Sequence, residues 1–138
     1  MAGEASQVGA NNMLDAASGR VTQTARTTYL ALLTAAPTDT STVGTMTEVT
    51  TPATNGYARQ AVTWTAPAGD PSSTENTAQL TFGPFSADLL NVTHVALVDS
   101  LAAGTGDIIW WWAVDVAKDP ANGDSITVAA AALTMTAD

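Results

Sequence analysis

The alternation of apolar and polar positions changes character at residue 27. Before it the residues are small and mostly polar. Asn11 or Asn12 can cap a short helix running through Leu14, Ala16 and Ala17, with Gly19 as its stop. A helix that short is unstable alone and has to dock on the body of the domain or on a neighbouring chain. Residues 2–9 ahead of it form a small polar arm.

From residue 27 the period becomes that of strands. Residues 27–34 are apolar on both alternating faces, as in a central strand, and the threonines at each end and Pro37 beyond favour strand over helix. Residues 35–46 read as a loop, 48–50 as a short strand, and Asn55-Gly56 as a turn. A strand over 57–65 places Tyr57, Arg59, Ala61 and Thr63 on one face and Ala58, Gln60, Val62 and Trp64 on the other. Residues 66–75 read as a flexible surface loop, and 77–82 as a strand closed by Gly83-Pro84. Three strong segments follow at 92–99, 107–116 and 125–136, joined by short turns. Such connections predict an antiparallel meander. The expected fold is mainly β: an antiparallel β-sandwich or small barrel over residues 27–138, preceded by an N-terminal arm and short helix over residues 1–26.

Composition narrows the chemistry. The chain has 138 residues, enough for one domain with a real core, and no cysteine, which excludes disulfides and thiolate metal sites. Alanine and threonine make up roughly a third of it, well above ordinary usage. Arg20, Arg26, Arg59 and Lys118 are the only basic residues besides His94; against 13 acidic residues they leave a net charge of −9. Nucleic-acid binding needs a basic stripe that displaces counterions, so no nucleic-acid partner is expected. The start of the chain lacks the basic and apolar regions of a secretory signal, and no apolar run is long enough to span a bilayer, so no membrane partner is expected either.

Reactive groups are sparse. His94, the only histidine, alternates with Val92, Ala96 and Val98 and reads as a packed or interface residue rather than a general base. No second histidine, calcium loop, nucleophile elbow or phosphate loop occurs, so no catalytic residue, metal or cofactor is expected. The Trp110-Trp111-Trp112 run is more informative. Ile108, Trp110, Trp112, Val114 and Val116 share one predicted face, and Ile109, Trp111 and Ala113 the other. Trp111 is then a second-face core residue, a subunit contact or a platform for stacking a sugar.

The order of several motifs resembles a known family. The series begins with Thr28-Tyr29-Leu30-Ala31-Leu32-Leu33-Thr34, then Gly56-Tyr57-Ala58-Arg59-Gln60 and Phe82-Gly83-Pro84-Phe85. It continues through Val92-Thr93-His94-Val95-Ala96-Leu97-Val98-Asp99, Ile109-Trp110-Trp111-Trp112-Ala113 and Ala132-Leu133-Thr134-Met135-Thr136. This series resembles small virion proteins of tailed bacteriophages, described as tail-fibre-like or as minor capsid (decoration) proteins. The resemblance implies a structural protein without enzymatic activity. A small domain with an arm and no shaft suits decoration of the capsid surface as a homo-oligomer, a homotrimer being expected, with the major capsid protein or other virion proteins as partners. A tail-fibre or tail-tip adhesin binding a host glycan is the alternative. The candidate contact residues are Val8, Met13, Leu14, Tyr57, Arg59 and Trp111.

Overall fold

The computed structural model describes residue 1 and residues 3–49, 56–89 and 91–137. Its elements are β1 (Glu4–Ala5), α1 (Gln7–Ser18), β2 (Thr28–Leu33), β3 (Gln60–Val62), β4 (Ser72–Glu75), β5 (Leu80–Phe82), β6 (Val92–Val98), β7 (Ile108–Lys118), β8 (Ile126–Val128) and β9 (Thr134–Ala137). An antiparallel sheet runs in the order β1-β7-β6-β2-β3, and two antiparallel ribbons, β4-β9 and β5-β8, complete the β structure. The fold is mainly β with one short N-terminal helix, as the sequence predicts, and the sheets do not close into a barrel.

The doubly apolar strand is central for the reason its pattern gives. Leu30 and Leu32 of β2 join a main core with Val95, Leu97, Trp110, Trp112, Phe82 and Phe85. Ala31 and Leu33, pointing the other way, join a second cluster with Ala96, Val98 and Ile108. The residues that cover this back face come from the predicted loop. Val43 and Met46 are buried there, and Thr45 and Met46 both donate to the Thr42 carbonyl in a tight turn that presents them. The predicted strand at 48–50 shrinks to a bridge between Leu33 and Glu48, and Thr50 and Asn55 lie outside the described residues.

Several strand boundaries differ from the pattern. The segment 57–65 keeps regular pairing only over β3, and its faces change phase. Tyr57 and Arg59 are buried, yet so is Val62, while Ala61 and Thr63 are exposed. Residues 72–75, expected in a loop, pair with β9 as β4. The single predicted strand at 125–136 splits into β8 and β9 around the buried Asn76. The Asn76 amide donates to the Ala129 and Ala78 carbonyls at 2.8 and 2.9 Å, and its carbonyl oxygen accepts from the Leu133 N–H at 2.8 Å. These bonds bend the chain between the two strands, where Ala131 takes a positive φ of 58°.

The register of β7 also corrects the predicted faces. Leu97 pairs with Trp110 but Val98 pairs with Ile108, so Ile109 is an extra residue. The bulge turns Ile108 to the back face, the side of Trp111, while Trp110 and Trp112 stay in the main core. A second shift between Val92 and His94 sends Val92 to the main core, away from the face of Ala96 and Val98.

The helix starts earlier than predicted. Ser6, not Asn11 or Asn12, is its N-cap, accepting from the Gly9 N–H at 3.0 Å. Ser6 wins because it is also anchored: its hydroxyl donates to the Ile108 carbonyl and its N–H to the Ile109 carbonyl. Gly19 closes the helix in the left-handed conformation, as expected. Residues 4–5 of the predicted arm pair with β7 of the same chain, Glu4 opposite Trp111 and Ala5 opposite Trp110. The Met1 amine donates to the Ala132 carbonyl at 2.7 Å, and the Thr134 N–H to the Met1 carbonyl at 3.3 Å. Two glycines make this docking possible. A Cβ on Gly9 would stand 2.0 Å from the Ile109 carbonyl oxygen, and one on Gly3 would stand 2.3 Å from the Trp112 indole nitrogen.

Candidate interaction surface

A dense polar cluster lies inside the domain. Arg59 is 4% exposed, and its guanidinium forms a two-point pair with Glu48, Nε to Oε1 at 2.8 Å and Nη2 to Oε2 at 2.7 Å. Its remaining nitrogen, Nη1, donates to the carbonyls of Ser100, Ala102 and Thr105, fastening the β6–β7 turn. The Tyr57 hydroxyl donates to Glu48 Oε1 at 2.7 Å and accepts from the Leu32 N–H at 3.1 Å. Burial works against the charge of Arg59, but the hydrogen bonds and charge of Glu48 outweigh it and raise its pKa. Burial, then the charge of Glu48, raise the Tyr57 phenol as well. Both groups keep their protons and hold the cluster together.

Tyr57 and Arg59, expected as contact residues, are therefore occupied inside the domain. Val8 is half-buried on α1, whereas Met13 and Leu14 are exposed by 43% and 68%. Trp111 is half-buried against the back cluster, with its ring 5.7 Å from the His94 ring. Its indole N–H and that of Trp110 are buried without a hydrogen-bond partner among the described residues. The structure thus separates the predicted residues into three places: an internal lock, the outer side of α1 and the back face of the sheet.

His94 is half-buried, its Nδ1 2.8 Å from the Thr93 hydroxyl, and desolvation lowers its pKa. No carboxylate is bonded to its ring among the described residues, so the pairing that orients a catalytic imidazole is not built here. Nor do three or more His, Asp or Glu side chains converge there as a metal site.

Two apolar openings were not anticipated from sequence. One, of about 250 Å³, lies between α1 and the β4-β9 ribbon and is lined by Met13, Ile109, Trp110 and Met135. The other, of about 570 Å³, lies between β7 and β8. The exposed Val116 beside the larger opening, 66% accessible, is its sequence-visible signal: the apolar alternation of β7 continues past the tryptophans into solvent.

Among known protein families, the family model described as podophage GP4 fiber I protein gp80 matches residues 4–136. No curated protein matches the chain.

Proposed function

The chain belongs to the podophage GP4 fiber I protein gp80 family, which makes it a phage virion structural protein, and we propose that it serves in the virion as a non-enzymatic β module of the fibre. The observation that carries this reading is the family match over nearly the whole domain. The interior supports it. The groups that could do chemistry are tied into structural bonds, Arg59 and Tyr57 to Glu48, while exposed apolar side chains such as Met13, Leu14 and Val116 are left for contacts. Those contacts are with other copies, a homotrimer in this reading, and with other virion proteins.

Decoration of the capsid surface is the second reading. The described residues contain no shaft, and a domain of this size suits a shell-bound protein. Within the predicted arm, however, residues 4–5 pair with the chain's own β7, and Met1 is bonded to Ala132 and Thr134. Immunogold labelling of intact virions tests the two. Gold on the tail or its fibres is the expected result. Gold spread over the head would replace the fibre reading with decoration.

A further inference from the structure

The segment between α1 and β2 ties neither side to the other. Gly19, Arg20 and Val21 belong to the end of α1. Their N–H groups donate to the Ala16 and Asp15 carbonyls, and the Arg20 side chain pairs with Asp15. Arg26 belongs to the body of the domain, paired with Asp99 just after β6. Between them Thr22, Gln23, Thr24 and Ala25 are exposed and make no hydrogen bond or ion pair with any described residue. Opening the chain at these residues breaks neither ion pair.

Everything that seats β1 and α1 lies beyond this hinge. β1 pairs with β7, the Ser6 hydroxyl and N–H donate to the Ile108 and Ile109 carbonyls, and the Met1 amine donates to the Ala132 carbonyl. The Gln7 N–H donates to the Asp39 carbonyl at 3.1 Å. A second copy presents the same partners in the same places, so residues 1–18 of one chain fit the body of another with the same bonds. The hinge, residues 19–27, spans ~30 Å at ~3.4 Å per residue, against a radius of gyration of ~14 Å for a domain of this length. A body in contact with its neighbour is within that reach. The remaining apolar surface gives the reason to exchange. Among the five large apolar side chains exposed in the described residues, Met13, Leu14 and Val21 lie on α1 and the hinge. On a closed single chain they face water. Exchange places α1 and the hinge between two bodies, where they leave it.

We propose that copies of this chain are joined by exchange of residues 1–18. In the assembled protein β1 and α1 of one copy seat on β7 of its neighbour, and the hinge crosses from body to body. The bonds of the closed chain are kept, and covering Met13, Leu14 and Val21 is the gain. Once the bodies touch, the neighbour's β7 is at a local concentration comparable with that of the chain's own, so the covered side chains tip the balance. The proposal rests on the homo-oligomer reading above and adds how the copies hold together.

The test uses the place where the exchanged unit meets the body. Gln7 and Asp39 are exposed, and their main chains stand one hydrogen bond apart. In this cysteine-free chain Gln7→Cys/Asp39→Cys supplies two thiols that a short bis-maleimide can join, and the variant should melt with the parent. Phage carrying it are cross-linked, dissolved in SDS and blotted for this chain. Protein released from the particles without denaturant is weighed by native mass spectrometry. The expected result is a released assembly of two or more copies, with the blot shifted from the single-chain position to that of joined copies. Gln7→Cys or Asp39→Cys alone should stay at the single-chain position. An assembly whose linked chains still run singly overturns the exchange and leaves the homo-oligomer standing. Protein released as single copies overturns both.

Discussion

Glu48 and Arg59 meet inside the domain in a two-point ion pair, and the same guanidinium holds three carbonyls of the β6–β7 turn. Breaking a buried pair leaves one charge uncompensated, which costs about 3–5 kcal/mol. Arg59→Met should therefore lower unfolding stability by that order in a urea titration. The double variant Glu48→Leu/Arg59→Met should lose less than Arg59→Met alone. Hydrogen exchange should show residues 100–106 losing protection in both.

Asn76 divides what would be one strand into two. Asn76→Ala leaves the Leu133 N–H unpaired in the interior, at about 1–3 kcal/mol, and removes the amide bonds to the Ala129 and Ala78 carbonyls as well. Thermal or urea unfolding checks the magnitude. Asn76→Asp should also destabilise, because a carboxylate can still accept from Leu133 but cannot donate to Ala129 or Ala78.

Ser6 and Gly9 seat α1 on β7. Ser6→Ala removes the N-cap bond and should cost about 1 kcal/mol or more. Gly9→Ala would drive a methyl into the Ile109 carbonyl, so the helix must lift away. The expected signature is faster amide exchange across residues 4–18 with β2 and β6 still protected. Unchanged exchange in α1 would show that the close approach is not required.

His94 gives a pH dependence of known sign. Desolvation lowers its folded pKa below the ordinary value near 6.5, so the unfolded chain takes up the proton first. Its contribution to stability is intact above about pH 6.5 and is lost as pH falls from there through the lowered folded pKa. His94→Gln should flatten the stability–pH curve in that window, as measured by melting temperature across a buffer series.

The parts of this fold that show in the sequence are those where burial writes a pattern. β2, β6 and β7 are apolar on both faces because both faces of their sheet are covered. The missed parts are set by single polar groups or by register. β4 is Ser-Ser-Thr-Glu, whose side chains give no apolar period, and it exists because β9 pairs with it. The break between β8 and β9 is fixed from a distance by Asn76, and the bulge at Ile109 shows only in the pairing. The helix start moved to Ser6 because a tertiary bond to Ile108 decides between possible caps. Met13 and Leu14 read from the sequence as apolar side chains on a short helix, and the structure leaves both exposed. Tyr57 and Arg59 were misplaced because their partner Glu48 lies across an intervening loop. The cleft between β7 and β8 shows in no local pattern, because only the tertiary fold brings these two segments together.

The pairing of the arginines has a consequence for crowding. With three of four cations tied to carboxylates and 13 acidic residues in all, the domain carries a net charge of −9. Copies packed close together push one another apart at low ionic strength, and physiological salt shortens that repulsion to ~8 Å. Ionic strength then acts as a throttle on how densely such domains can be stacked.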